Sequence, residues 1–199
     1  MYLVTNSDGL NEADFLGIIK EACQGGVTLV QLREKEKTGK EYFNLAKKVK
    51  AVTDSHNVPL IIDDRVDIAM AVDAAGVHLG LDDLPLESAR AIIGPNKILG
   101  ATAKTVEQAL KAQSAGADYL GTGAIFPTTT KVKTVLTSVD TLKDIIKHVS
   151  IPVVAIGGLN AENMDILKGS GASGIAVVTA IMNSENPRES ARTLSETIR

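Results

Sequence analysis

Short apolar runs alternate with stretches of helical periodicity along the whole chain. The stretches 41–52 and 106–114 show the helical period most clearly. This alternation is typical of strand-helix units that build a parallel sheet. The apolar runs predict eight strands, at residues 2–5, 28–32, 60–63, 76–79, 98–101, 119–121, 153–156 and 174–178.

A weak internal repeat supports this count of units. Gly25-Gly26-Val27, Ala75-Gly76-Val77, Ala115-Gly116-Ala117 and Ser170-Gly171-Ala172 each stand just before a predicted strand. We expect a glycine in each to adopt the left-handed conformation at a helix end and to turn the chain into the next strand.

Eight units predict a compact (β/α)8 barrel, the TIM-barrel form of the α/β class. With 199 residues, each unit has about 25 residues, which lies at the short end of the range for this fold. A doubly wound open sheet is the second choice, but residues 5–9 lack the glycine-rich dinucleotide fingerprint that often follows its first strand.

The composition indicates one domain with an aliphatic core. Hydrophobic residues make up 44%, aromatic residues only 3%, and Trp is absent, so we expect Val, Ile, Leu and Ala to fill the core. No linker or low-complexity tract divides the chain, and residues 1–199 are therefore predicted to form a single domain.

The charge and the N-terminal sequence narrow the range of partners. A net charge of −3 argues against non-specific nucleic-acid binding. Cys23 is the one cysteine, the N-terminal residues lack a signal-peptide pattern, and no apolar run reaches the length of a membrane span. We expect a cytoplasmic protein with small-molecule substrates; the pattern leaves open whether it forms a homo-oligomer.

Polar residues follow the predicted strands at the end where barrel enzymes carry their active sites. These strand ends comprise residues 31–35, 63–65, 80–83, 102–104, 128–131, 157–158 and 178–179. Because the ends converge in a barrel, we expect these residues to surround one mouth.

The run 126–131 suggests phosphate recognition. Thr128, Thr129 and Thr130 bring three hydroxyl groups together, and Lys131 adds an ammonium group, directly after the sixth predicted strand. Such donors suit phosphate oxygens, although an isolated run of this kind is more often an ordinary solvated loop.

Aspartates after the third and fourth strands suggest a metal site. Neighbouring carboxylates repel each other unless a cation lies between them, and carboxylates beside a phosphate site suit Mg²⁺. The residues favoured as ligands are Asp64 and Asp83. For Asp63 and Asp82, capping of the following helix is an equally good interpretation.

A second anion-binding zone is predicted after the seventh and eighth strands. Gly157-Gly158 would allow the backbone to approach an anion, with a helix expected to begin near Asn160, and Thr179 lies in the next strand-end loop. The glycines could equally serve the sterics of the turn. His78 is expected to pack inside the barrel, and no Ser-His-Asp or Cys-His pattern indicates a protein nucleophile.

Taken together, these residues resemble the thiamine-phosphate synthase (thiamine-phosphate pyrophosphorylase) family over nearly the whole chain. The matching stretches are Gln31-Leu32-Arg33-Glu34-Lys35, Asp64-Arg65-Val66-Asp67, Gly76-Val77-His78-Leu79-Gly80, Gly116-Ala117-Asp118-Tyr119, Ile125 to Lys131, and Ala155-Ile156-Gly157-Gly158. Each stretch is weak alone, but their order and spacing are specific.

The resemblance implies a (β/α)8 enzyme that joins hydroxymethylpyrimidine diphosphate to hydroxyethylthiazole phosphate and releases pyrophosphate. It places Arg33, Lys35 and Lys131 at the diphosphate, as the catalytic groups, and Asp64 and Asp83 at Mg²⁺. Gln31 would lie near the pyrimidine. The substrate-binding set is completed by Asp63, Thr102, Thr128, Thr130, Gly158, Val178 and Thr179.

Several residues depart from the usual family pattern. Asp63 stands where Asn is usual, Leu81 replaces Gln, Lys104 replaces His, and Thr102 and Thr179 replace Ser. Two alternatives therefore stay open. One is a thiazole tautomerase, which the run 128–131 and the Asp64/Asp83 pair oppose; the other is a non-catalytic sensor of a thiamine precursor.

Overall fold

A computed structural model, which describes residues 1–128 and 135–197, contains a closed barrel of eight parallel strands. Each strand pairs with its neighbours in sequence, and the last pairs with the first through Tyr2–Ala176 and Leu3–Val177. The strands are β1 Tyr2–Val4, β2 Leu29–Leu32, β3 Leu60–Asp63, β4 Gly76–Leu79, β5 Ile98–Thr102, β6 Tyr119–Gly123, β7 Val153–Ile156 and β8 Gly174–Val177. The predicted (β/α)8 barrel is confirmed, with every strand within two residues of its predicted ends.

Helices connect the strands and surround the barrel. They are α1 Glu12–Gln24, α2 Gly39–Asp54, α3 Val66–Ala71, α4 Leu86–Ile93, α5 Val106–Ser114, α6 Val139–His148, α7 Thr179–Met182 and α8 Pro187–Thr197. Within the described ranges, none of the helices is both long enough and apolar enough to cross a membrane.

The connection between β7 and β8 differs from its prediction. The side chain of Asn160 accepts hydrogen bonds from the backbone N–H groups of Glu162 and Asn163, so a turn begins where expected. Only a four-residue 3-10 helix, Met164–Leu167, follows it. Gly169 and Gly171 then take positive φ angles, which bend the chain towards β8 before an α-helix can form.

Three of the four glycine repeats adopt the expected left-handed conformation, with φ angles of 102° at Gly26, 91° at Gly116 and 84° at Gly171. The prediction for Gly76 is wrong, because this residue begins β4 and does not have a positive φ angle. A Cβ atom there would lie 2.0 Å from the carbonyl oxygen of Ile98, so close strand packing explains the glycine.

The barrel has two distinct cores. The larger one lies between strands and helices and consists mainly of Leu, Ile, Val and Ala side chains, as predicted. The smaller one fills the barrel interior and includes two aromatic residues, Tyr2 and Tyr119, beside Val4 and Ala176. The aliphatic prediction therefore holds for the outer core and fails for the inner one.

Arg90 joins two loops by hydrogen bonds at the end of the barrel where the strands begin. Its guanidinium donates hydrogen bonds to the carbonyl oxygens of Gly94, Lys97 and Gly116, and to the carboxylate of Asp118. One side chain thus joins the loop before β5 to the loop before β6.

Candidate active site

A cavity of about 210 Å³ opens at the end of the barrel where the strands finish. The sequence-predicted residues that line it are Gln31, Arg33, Lys35, Asp63, Asp64, Asp83, Thr102, Thr128, Gly158, Val178 and Thr179. The structure therefore brings together residues from β2 to β8 that are up to 148 positions apart in the chain. Thr129, Thr130 and Lys131 lie outside the described residues.

Five ionisable residues at the end of β3 and in the loops after β2, β3 and β4 form the charged half of the cavity: Arg33, Lys35, Asp63, Asp64 and Asp83. The ammonium group of Lys35 lies 2.9 Å from the Asp63 carboxylate and also contacts the Asp64 carboxylate. The guanidinium of Arg33 lies 3.9 Å from Asp63. Lys35 thus bridges two carboxylates that would otherwise repel each other.

Burial and the neighbouring groups shift the pKa values of Asp63 and Asp64 in opposite directions. Burial, together with the neighbouring charge of Asp64, raises the pKa of Asp63 to about 6, although Lys35 opposes this rise. At Asp64, burial also acts to raise the pKa, but hydrogen bonds from Lys35 and Asp83 outweigh it and the pKa falls. Two adjacent aspartates therefore hold their protons with different strength.

Asp64 and Asp83 lie within hydrogen-bonding distance of each other, as expected for neighbouring strand ends. The backbone N–H of Gly80 donates to Asp83 at 2.7 Å, which fixes that carboxylate at the mouth. Burial, and then the hydrogen bond with Asp64, raise the pKa of Asp83. A pair of carboxylates this close is suited to sharing a cation or a proton.

The alternative in which aspartates cap the helices is wrong. Arg65 precedes α3 and Pro85 precedes α4, and neither makes a side-chain capping bond. Asp63 instead points into the cavity and Asp82 is exposed. Pro85 is extended, with φ and ψ angles of −51° and 136°, and α4 begins after it without a side-chain cap.

The opposite side of the cavity, the glycine half, consists of Ala124, Gly157, Gly158, Val178 and Thr179. Gly157 and Gly158 have φ angles of 107° and 63°. A Cβ atom at Gly157 would lie 2.4 Å from Ala124, and one at Gly158 would lie 2.7 Å from Phe126. The steric interpretation of this glycine pair is supported, because the loop after β6 packs directly on it.

His78 lies inside the barrel, as predicted, but it also lines the cavity. Its ring nitrogens are within hydrogen-bonding distance of the hydroxyl groups of Tyr119 and Thr102. Sequence reasoning missed the roles of Tyr2 and Tyr119 beside it. The available signal for Tyr119 was Gly100 on the neighbouring strand, where a Cβ atom would lie 2.3 Å from the Tyr119 ring.

Comparisons with known proteins agree with this geometry. A family model described as thiamine monophosphate synthase matches residues 1–181. The chain is similar to "Thiamine-phosphate synthase 2" of Streptococcus pneumoniae, with 57% identity over 186 residues that cover 94% of this chain and 89% of the relative. It is also similar to thiamine-phosphate synthase of Clostridium tetani, with 51% identity over 98% of this chain and 93% of the relative.

A solved structure gives the same result in three dimensions. Thiamine phosphate pyrophosphorylase from Pyrococcus furiosus superposes with a TM-score of 0.89 at 38% identity, and the match covers 99% of this chain and 94% of that one. With the family model, the two relatives and this structure in agreement, the chain belongs to the thiamine monophosphate synthase family.

Proposed function

We propose that the protein is a thiamine-phosphate synthase, a transferase that joins hydroxymethylpyrimidine diphosphate to hydroxyethylthiazole phosphate and releases pyrophosphate. The observation that carries this proposal is the cavity itself, in which the two cations and three carboxylates of the charged half lie opposite the glycine half. Such a site can hold two phosphorylated ligands side by side. The proposed enzyme is a single catalytic domain over residues 1–199 and works in the cytoplasm.

The diphosphate is assigned to the charged half. Arg33 and Lys35 offer a guanidinium fork and an ammonium point charge, which are the usual partners of phosphate oxygens. Lys35 contacts the carboxylates of Asp63 and Asp64. The substrate diphosphate would compete with these carboxylates for Lys35, and Lys131 would add a third cation.

Magnesium fits the donor set of the charged half. Within the described ranges, no three His, Cys, Asp or Glu side chains come together as a metal-binding group, so the protein would contribute two carboxylates, Asp64 and Asp83. Mg²⁺ typically takes one or two carboxylates and completes its shell with water and substrate phosphate. When bound, it would neutralise negative charge on the departing pyrophosphate.

The thiazole phosphate is assigned to the glycine half. Gly158, Val178 and Thr179 line the cavity there, and Thr128 stands beside them on the loop after β6. Barrel enzymes frequently hold phosphate groups in the loops after β7 and β8, which supports this assignment. Thr130 would add a hydroxyl group to the same subsite.

The proposed reaction depends on positioning and electrostatics. Pyrophosphate leaves first, and the aminopyrimidine ring stabilises the methylene cation that forms. Arg33, Lys35 and Lys131 stabilise the charge on the leaving group, and the thiazole nitrogen then attacks from its held position. Gln31 and Thr102, which line the same cavity, would orient the pyrimidine.

The test is to incubate the purified protein with both phosphorylated precursors, with Mg²⁺ or with EDTA, and to measure thiamine phosphate. We expect product that depends on Mg²⁺. The Lys131→Ala variant should lose most of its turnover and keep its circular dichroism spectrum. No product from folded wild-type protein would refute the proposal, and near-normal activity of Lys131→Ala would refute the role of that residue.

A further inference from the structure

A continuous chain of hydrogen bonds crosses the barrel interior from Gln31 to Thr102. Nε2 of Gln31 lies 2.7 Å from the hydroxyl of Tyr2, which lies 2.8 Å from the hydroxyl of Tyr119. Nδ1 of His78 lies 3.0 Å from Tyr119, and its Nε2 lies 3.1 Å from Oγ1 of Thr102. Both ends of the chain line the cavity proposed above.

Glycines on neighbouring strands make space for this chain. A Cβ atom at Gly100 would lie 2.3 Å from the ring of Tyr119, and one at Gly121 would lie 3.2 Å from the ring of His78. Tyr2 and Tyr119 are only 5% and 7% exposed. Buried hydroxyl groups are usually hydrogen-bonded, and here each tyrosine hydroxyl has a partner on both sides.

The protons of such a chain can be ordered in two directions. In the first direction, Nε2 of Gln31 donates to the Tyr2 hydroxyl, which donates to the Tyr119 hydroxyl, which donates to Nδ1 of His78. The His78 ring then carries its proton on Nε2 and donates it to Oγ1 of Thr102. In the other, Thr102 donates to His78, every bond is reversed, and the carbonyl oxygen of Gln31 accepts from Tyr2. A neutral histidine ring has one proton to place, so the nitrogen of His78 that carries this proton sets the direction of the chain.

The direction determines what both ends offer to a ligand. With Nε2 of Gln31 turned to Tyr2, as in the structure, Gln31 offers its carbonyl oxygen as an acceptor and Thr102 is left with its O–H as a donor. In the reverse direction, Gln31 offers a donor and Thr102 offers an acceptor. The two ends therefore change together, because Tyr2, Tyr119 and His78 link them.

We propose that Tyr119 is a positioning residue that couples Gln31 to Thr102, so that the cavity selects a ring with an amino donor and a ring-nitrogen acceptor. The proposal rests on the pyrimidine assignment of the proposed function and extends it to a buried residue that does not line the main cavity. A ring with an oxo group in place of the amino group presents the reversed pattern and is disfavoured.

The kinetic test uses Tyr119→Phe, which keeps the ring and removes only the hydroxyl. We expect KM for the aminopyrimidine diphosphate to rise about tenfold, and KM for the thiazole phosphate to stay within about twofold. Discrimination against the matched oxopyrimidine diphosphate, measured as the ratio of kcat/KM values, should fall at least about tenfold. A Tyr119→Phe variant that discriminates like the wild type would overturn the proposal.

The matched control is Tyr42→Phe, which removes a buried hydroxyl that donates to the backbone oxygens of Leu32 and Asp63. We expect it to lower the melting temperature and to leave discrimination between the two rings intact. Equal loss of discrimination in both variants would assign the effect to general loosening of the barrel and would also overturn the proposal.

A second measurement is independent of activity. Nitrogen-15 NMR of the histidine rings should show one neutral tautomer of His78 in the wild type, protonated on Nε2, and a mixture in Tyr119→Phe. An unchanged single tautomer in the variant would overturn the proposal. If the wild type makes no thiamine phosphate, the proposed function fails, while this spectrum still decides whether Tyr119 orders the chain.

Discussion

The two halves of the cavity are built on different principles. The charged half consists of side chains that reach across several ångströms, and Lys35 touches two carboxylates at once. The glycine half is mostly backbone and hydroxyl, and its shape depends on the absence of Cβ atoms at two positions. The charged half is defined by its ionised side chains, and the glycine half by the room that two missing Cβ atoms leave.

This difference predicts different responses to substitution. Long charged side chains can adjust, so a change in the charged half should affect chemistry more than folding. Gly157 and Gly158 have positive φ angles, and a Cβ atom added at either would lie 2.4 to 2.7 Å from a neighbouring atom. A substitution in the glycine half should therefore affect folding as well.

The largest expected effect is that of Lys35→Met, which keeps the length of the side chain and removes its charge. We expect kcat/KM for the diphosphate substrate to fall roughly 10²- to 10³-fold, because a preorganised positive charge is lost at the leaving group. Steady-state kinetics at saturating Mg²⁺ measure this change.

The control for Lys35→Met is Lys37→Met, two residues further along the same loop. Lys37 pairs with Glu34 at 3.4 Å and does not line the main cavity. Its kcat/KM should stay within about threefold of the wild type. If both variants lowered kcat/KM equally, a diffuse positive field would explain binding better than a specific contact of Lys35.

The next effect is that of Gly158→Ala in the glycine half. The added methyl group requires a left-handed alanine and meets Phe126, so we expect a loss of about 3 kcal/mol in the free energy of unfolding. KM for the thiazole phosphate should rise as well. Urea denaturation and kinetics provide the two readouts.

Gly169→Ala separates the strain of a left-handed alanine from the steric contact with Phe126. Gly169 has a similar φ of 70°, but nothing lies within 4 Å of the position that its added methyl group would take, and it does not line the cavity. We expect a loss of about 1 kcal/mol and an unchanged KM. Equal destabilisation by both variants would show that backbone strain alone, without crowding by the β6 loop, limits the glycine half.

A smaller effect is expected at the far end of the barrel. Arg90→Ala removes the bonds to three carbonyl oxygens and should lower the free energy of unfolding by about 2 kcal/mol. Because Arg90 lies at the end where the strands begin, both KM values should stay unchanged. A raised KM would mean that the two ends of the barrel are coupled.

The smallest effect is expected for Lys48→Ala, which removes an exposed ion pair with Glu12 between α2 and α1. Both side chains are about half exposed, so the free energy of unfolding should fall by less than about 0.5 kcal/mol. A larger loss in urea denaturation would show that this pair is part of a stronger network than its exposure indicates.

The sequence was sufficient for the barrel because the apolar runs recur in all eight units and polar strand ends follow the second to the eighth strand. Apolar runs located all eight strands, and convergence at one mouth followed from the closed parallel topology. The sequence could not locate the end of each helix. The connection after Asn160, for example, depends on the positive φ angles of Gly169 and Gly171, which a glycine permits but does not require.

The site residues were found where they have charge or hydroxyl groups at a strand end, as at Lys35 and Asp64. Their pairing was not predictable, since a sequence does not reveal that Lys35 reaches two carboxylates. Tyr119 was missed for a different reason. It stands at the beginning of β6, and its importance becomes apparent only when Gly100 on the neighbouring strand leaves room for its ring.

Closure of the barrel by β1 and β8 has a consequence for biosynthesis. The first strand, Tyr2–Val4, obtains its second partner only when Gly174–Val177 has been translated. At about 5–20 residues per second, one edge of β1 waits roughly ten seconds or longer on the ribosome. An unpaired edge can bind other extended chains, so the rate of elongation and the supply of chaperones should influence the yield of folded protein.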